Sequence, residues 1–266
     1  MFLDKDSYEP SVFFIDNNIN DDSYNEKINQ SWDIIISVGG DGTLLEIGQK
    51  IIHRDIALGI VPIGSGNGLA THIGYKPRDI EGAFRAINQA KMKAIDVATI
   101  NEKEFFFSNF GLGIDAVVAK DFKIKKKRSL LVYSYLTIRR LLKIQSNKIR
   151  YKTVTEEREI NTYLFNVFNS NLYGYNVGLL PWASAFDGKL DVVYLDKIPF
   201  WKMPWAALSI LIKKPNWCKD LHFFETDEIT IINSDKIDFQ VDGDPKQSTS
   251  NIHIKILPSQ LNMIVP

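Results

Sequence analysis

The 266-residue sequence predicts an α/β unit built on a parallel sheet, followed by an all-β unit interrupted by two helices. Two observations predict the first half. The apolar runs Asp33–Val38 and Ala57–Ile63 each end in clustered glycines, and each cluster opens onto a helical pattern. Alternation of buried strand, Gly-rich loop and helix marks a parallel sheet. A third observation predicts the second half. From about Lys93 onward, short segments with partial period-2 alternation dominate, separated by Asp-Gly turns.

Taken in order, Phe13–Ile15 reads as a short strand and Asn17–Asp22 as a polar turn. Asp33–Val38 leads into Gly39-Gly40-Asp41-Gly42-Thr43, behind which Leu44, Leu45, Ile47 and Ile51 recur at helical spacing. Ala57–Ile63 leads into Gly64-Ser65-Gly66-Asn67-Gly68, with helix resuming at Leu69 and again over Ile80–Gln89. Strands are expected at Ile95–Ile100, Glu104–Phe110, Asn161–Phe168, Leu190–Leu195, Glu228–Ile232, Ile237–Val241 and Ile252–Ile256. Turns fall at Asp187-Gly188 and Asp242-Gly243, and the two helices at Leu130–Ile144 and Phe200–Ile212. The expected division is residues 1–97 and 98–256, with 257–266 packing back on the first part.

Apolar residues make up 45% and charged residues 24% of the chain, which argues against disorder. Lys and Arg total 32 against 32 Asp and Glu, so net charge gives no reason to expect nucleic acid. Attraction to an anionic surface must come from a local patch. Cys218 is the sole cysteine, which rules out an intrachain disulfide and favours a reducing, cytoplasmic setting. Met1–Asp16 lacks the basic start and apolar core of a signal peptide. No stretch approaches the ~20 apolar residues of a transmembrane helix. Ile198–Ile212 comes nearest but is broken by Lys202, Pro199 and Pro204. Membrane contact is therefore expected to be peripheral.

A strand–loop–helix junction aims unpaired N–H groups and the positive helix end at one point, and glycine admits a phosphate closely. One such loop is common as a packing device. Two at neighbouring strand ends point to a ligand at the carboxyl edge of the sheet. Neither fits G-x-G-x-x-G with a following acid, nor G-K-[ST]. Asp41 among the glycines needs a cation beside it, a proton to accept, or a helix to cap. His53, His72, His222 and His253 lack metal-ligand spacing, and no G-x-S-x-G elbow is present.

Gly39-Gly40-Asp41-Gly42-Thr43 resembles the GGDGT motif of diacylglycerol, sphingosine and NAD kinases and of 6-phosphofructokinases. Pro62-Ile63-Gly64-Ser65-Gly66-Asn67-Gly68-Leu69-Ala70, Gly111-Leu112-Gly113-Ile114-Asp115-Ala116, Pro181-Trp182-Ala183 with Asp187-Gly188-Lys189-Leu190-Asp191-Val192, and Val241-Asp242-Gly243-Asp244 resemble the later segments of the lipid kinase branch, in its order. The resemblance implies a nucleotide-binding α/β domain, a β-sandwich domain and an active cleft between them. It further implies ATP and Mg2+ as cofactors and a membrane lipid with a free hydroxyl as acceptor.

By that resemblance, Gly39, Gly40, Asp41, Gly42, Thr43, Leu44, Leu45, Gly64, Ser65 and Asn67 would bind ATP. Asp244 would be the general base, with Asp41 the other contender. Asp187 would bind magnesium with the carbonyls of Ser184 and Lys189, and Asp115 would face the lipid headgroup. The sequence departs from the family in three ways. It starts after the usual N-P-x-[SG]-G loop, so that either a start upstream or an incomplete site is expected. It has Gly68 after Asn67, and it carries Asp244 where Glu is usual. A NAD kinase and a non-catalytic lipid or nucleotide sensor are the alternatives. Oligomeric state stays open, a homodimer included.

Two segments bear on membrane contact. Lys120–Arg128 is dense in base, and Phe200–Trp217 sets Trp201, Trp205 and Trp217 beside Lys202, Lys213 and Lys214. Each reads either as a surface lying on anionic lipid or as an amphipathic helix packed on the β unit with a solvated face.

Overall fold

The computed structural model describes residues 3, 7–12, 22–123, 132, 136, 139, 140, 145–171, 180–232, 237–247 and 249–266. The first part contains α1 (Asp22–Ile28), β1 (Ile34–Gly39), α2 (Asp41–Ile51), β2 (Ala57–Pro62), α3 (Gly68–His72) and α4 (Ile80–Gln89). β1 and β2 pair in parallel, and every residue of β2 is buried, as its unbroken apolar run demands. α2 buries Leu44, Ile47, Gly48 and Ile51, the i, i+3, i+4, i+7 stripe of a helix lying on a sheet. Asp79 caps α4 by accepting the Gly82 N–H at 2.8 Å.

The second part contains β3 (Met92–Ile100), β4 (Glu104–Phe106), β5 (Asn109–Gly113), α5 (Ile114–Lys123), β6 (Asn147–Lys152), β7 (Glu157–Phe168) and β8 (Leu190–Asp196). It continues with α6 (Met203–Leu211), β9 (Leu221–Thr226), β10 (Glu228–Ile232), β11 (Phe239–Val241), β12 (Asp244–Lys246) and β13 (Asn251–Ile264). Its strand pairs are antiparallel, and the ladder β2-β13-β10-β6-β7-β5-β11-β12 is continuous, with β3–β4 and β8–β9 branching from it.

β13 joins the parts. It runs antiparallel along β3 from Ile254 to Ile264, pairs with β10 at its start, and meets β2 in parallel at Met263↔Leu58. Ile252, Ile254 and Ile256 belong to the β core with Phe110, Phe165 and Tyr151. Leu261, Met263 and Ile264 belong to the α/β core with Leu58 and Ile87. The strand is bulged between Leu257 and Leu261, and the buried Asp96 carboxylate accepts the N–H of Ser259 there at 2.8 Å. Its other oxygen accepts the Gly188 N–H at 2.7 Å, so one acid fixes the bulge and the Asp187-Gly188 loop together.

Several elements differ from the sequence expectation. Among the described residues, the parallel part of the sheet comprises β1, β2 and the tip of β13. Expected strand Glu104–Phe110 is two strands, because Phe107 and Ser108 turn away to meet Asp242. β6 and β9, and the helix α5 that starts inside the Gly111–Ala116 motif, were not foreseen. Phe13–Ile15 and Asn17–Asn20 lie outside the described residues. So do residues 124–128 of the basic run, and all of expected helix Leu130–Ile144 but Val132, Leu136, Arg139 and Arg140. Among the described residues, no helix is long and apolar enough to cross a membrane.

Candidate active site

The two glycine loops touch. The Gly39 carbonyl accepts N–H groups from Ile63 and Gly64, both at 3.1 Å. A Cβ on Gly64 would lie 2.3 Å from the Gly40 Cα, so only glycine permits the approach. Asn67 closes the second loop in the left-handed conformation, at φ 56°, and donates its amide to the Gly64 carbonyl at 2.8 Å. The Asp41 carboxylate faces the N–H groups of Asn67, Gly68 and Leu69. Burial raises its pKa, and those N–H groups offset the rise in part. One of its oxygens, Oδ1, is buried without a hydrogen-bond partner.

The opposite wall comes from the β unit. β11 and β12 form a hairpin on Asp242-Gly243, both at positive φ, 47° and 84°, as a two-residue turn with right-handed twist requires. The Asp242 carboxylate accepts N–H groups from Phe107 at 2.9 Å, Ser108 at 2.8 Å and Asn109 at 2.9 Å. Burial pushes its pKa up to about 6, with the charge of Asp41 adding to the rise against those three bonds. Phe107 in turn packs on α2, where a Cβ on Gly48 would lie 2.6 Å from its ring. At the first turn of α5, buried Asp115 accepts from Asn166, and burial pushes its pKa up to about 7. Lys246 bridges Glu104 and lies 3.8 Å from Asp244, which is half exposed.

Between these walls lies a cleft of about 620 Å³. Gly40, Asp41, Gly42, Leu44, Leu45, Gly64 and Ser65 line one side, and Asp115, Asp242, Asp244 and Lys246 the other. The expected site residues Gly39, Thr43 and Asn67 do not line it. Thr43 packs its hydroxyl against Gly39, leaving no room for a Cβ there, and Asn67 is only 2% exposed, its amide bound to its own loop. These three shape the loops from behind.

Ser184, Asp187 and Lys189 lie away from the cleft lining. Asp187 accepts the backbone N–H of Lys189 at 3.0 Å, while the Lys189 ammonium turns to Asp227 at 2.6 Å. Neighbouring Asp191 has its pKa pushed up to about 6 by burial first and then by the charges of Asp187 and Glu225. Among the described residues, no three His, Cys, Asp or Glu side chains group as a metal site.

Asp242, Glu104 and Lys246 were assigned no role from sequence. The partners of Asp242 lie more than 130 positions away, so no local pattern reveals its function as a clamp. Lys246 had a signal: two residues beyond Asp244 in a strand, it falls on the same face.

Residues 1–100 match the model of the diacylglycerol kinase catalytic domain. Residues 108–265, more than half the chain, match the YegS C-terminal NAD kinase beta sandwich-like domain. The chain belongs to the YegS-like lipid kinase family. This YegS-type chain is therefore a phosphotransferase of the lipid kinase class. It is 26% identical over 238 residues to a "Probable lipid kinase YegS-like" of Enterobacter sp. (strain 638), covering 87% of this chain and 78% of that one. It is 27% identical over 240 residues to "Probable lipid kinase YegS" of Escherichia coli (strain SMS-3-5 / SECEC), with the same coverage. Its fold is similar to a crystal structure titled as a diacylglycerol kinase from Bacillus anthracis str. Sterne, with TM-score 0.70, 17% identity, and 95% of this chain and 83% of that chain covered.

Proposed function

We propose that this protein transfers the γ-phosphoryl group of ATP to a hydroxyl of a membrane lipid. The cleft itself carries the reading: it opposes a glycine-lined wall with N–H groups and few side chains to a wall bearing Asp115, Asp244 and Lys246. Phosphoryl transfer needs phosphates held in place, a base for the attacking hydroxyl and positive charge for the phosphate oxygens. The paired loops supply backbone donors through Gly40, Gly42, Gly64 and Ser65, and Lys246 supplies a cation at the rim.

Asp244 serves as the general base. Its carboxylate stands half exposed in the cleft, whereas that of Asp41 is turned into the N–H groups that begin α3. Asp41 instead locks the two loops to each other and sets a negative potential at the cleft floor. A bound magnesium ion would neutralise phosphate charge during transfer. The unpartnered Asp41 Oδ1 fits that requirement, since a buried lone oxygen calls for a cation or its water. A second magnesium would be held by Asp187 and the carbonyls of Ser184 and Lys189, where it stiffens the loop that Asp96 anchors.

The test is incubation with labelled ATP, magnesium and a panel of lipids that includes diacylglycerol, monoacylglycerol and a sphingoid base. A phosphorylated lipid is expected. In Asp244→Asn its rate should fall by about 10²–10⁴-fold with ATP affinity kept. Phosphorylation of NAD with no lipid product, or tight ATP binding with no turnover of any acceptor, would overturn the assignment in favour of a NAD kinase or a sensor.

A further inference from the structure

Helix α6 and the short turns Phe200–Lys202 and Pro215–Trp217 have two unlike faces. Inward, Met203 and Ala206 are buried in one apolar cluster with Ile114 and Val118 of α5. Outward, Trp201 is 67% exposed, Trp205 49%, Leu208 45% and Ile212 42%. Trp205 and Leu208 lie three positions apart on one face of α6, and Trp201 and Ile212 flank its two ends. Trp217, 52% exposed, lies in the turn that follows. An ordinary surface helix shows polar residues outward. Here the outward face carries two tryptophans and two aliphatic residues.

Lysines rim this face. Lys202, Lys213 and Lys214 are exposed, and the Lys214 ammonium sits 4.5 Å from the centre of the Trp217 ring. Asp220, the nearby acid, is paired with Lys202 at 3.3 Å. We propose that this face docks on the headgroup layer of a phospholipid bilayer containing anionic lipid. The indoles sit at the interface and the lysines meet lipid phosphates. A two-fold pairing with a second copy fits less well, because it brings one lysine-rimmed patch against another of the same charge. An anionic lipid surface complements them.

The inference deepens the lipid-kinase reading and rests on it for its purpose. Ile114 and Val118 of α5 share an apolar cluster with Met203 and Ala206 of α6, while Asp115, Ala119 and Phe122 of α5 line the cleft. One apolar cluster therefore links the docked face to the acceptor wall. Docking there would deliver a bilayer lipid to the cleft without extracting it into water.

The experiment is co-sedimentation of the whole protein with vesicles of phosphatidylcholine and phosphatidylglycerol, followed by tryptophan fluorescence with lipids brominated on the acyl chain. Binding, a blue shift and quenching are expected. Trp201→Ala combined with Trp205→Ala should weaken vesicle partition by roughly tenfold or more. Its circular dichroism, urea midpoint and turnover of detergent-dispersed lipid should match wild type. Lys213→Glu with Lys214→Glu should weaken binding most at low salt. Undiminished vesicle binding by the tryptophan variant would overturn the proposal, as would a solution dimer that the same substitutions dissociate. Failure of the kinase reading alone looks different: vesicles still bind through the tryptophans, but no lipid is phosphorylated.

Discussion

Asp115, Asp242 and Asp41 all sit where burial disfavours their charge, and the consequence differs for each. For Asp115 the folded protein holds the proton up to about pH 7, whereas an unfolded aspartate releases it near its model value of 3.8. Between those values the native state binds more protons than the unfolded state, so this group costs stability as pH rises. Asp115→Asn removes the titration. The stability of the variant relative to wild type should climb from about pH 4 to pH 7, by at most about 1.4 kcal/mol per pH unit. Urea denaturation across that range checks it, and a flat difference would contradict the burial of Asp115.

Gly64 poses a steric question at the same scale. In Gly64→Ala the added methyl must displace the Gly40 backbone, since the gap is 2.3 Å. A loss of about 1–3 kcal/mol is expected, together with weaker ATP binding. Calorimetric titration with ATP and a urea midpoint separate the two effects. This glycine was legible in the sequence as part of a phosphate-type loop. The inward roles of Thr43 and Asn67 were not, because side-chain direction within a glycine loop depends on which loop lies opposite.

At the scale of elements, the Asp187 loop shows how three weak devices act together. Asp96 accepts the N–H of Gly188, His72 Nε2 accepts the N–H of Ala185 at 3.0 Å, and Asp187 accepts the N–H of Lys189. Asp96→Ala removes two charge-assisted bonds and should destabilise the protein by about 3 kcal/mol in urea. Burial lowers the His72 pKa by disfavouring the charged ring, and a charged ring would also forfeit the bond from Ala185. The unfolded chain takes up that proton below its value of 6.5, so stability is lost as pH falls from there toward the lower folded pKa. Magnesium should raise the thermal midpoint of the wild type, and Asp187→Asn should abolish the rise while leaving the metal-free midpoint nearly unchanged.

Elements were legible where one short segment carries its own pattern. β2 announced itself by an unbroken apolar run, and the β11–β12 turn by Asp242-Gly243. α5 was hidden because its first turn overlaps a glycine motif. β6 was hidden because its alternation is carried by Ile149 and Tyr151 among charges. The outward face at α6 was written plainly as Trp201, Trp205, Leu208 and Ile212, but which face a helix buries depends on partners such as Ile114. Those partners are set by the fold, not by the helix.

At the scale of the whole molecule, the cleft exists because its two walls come from segments far apart in sequence, held by contacts at Phe107, Asp242 and Gly48. The order of motifs was readable from the chain; their convergence on one cavity required the topology, above all the path of β13. That strand contributes isoleucines to the β core at one end and Leu261, Met263 and Ile264 to the α/β core at the other. Neither core is complete until β13 has docked along both, so the two halves should close in a single event. In pulsed hydrogen exchange during refolding, amides of β2 and β10 should gain protection with one shared time constant, coupled through the zipper-like closure of a shared strand.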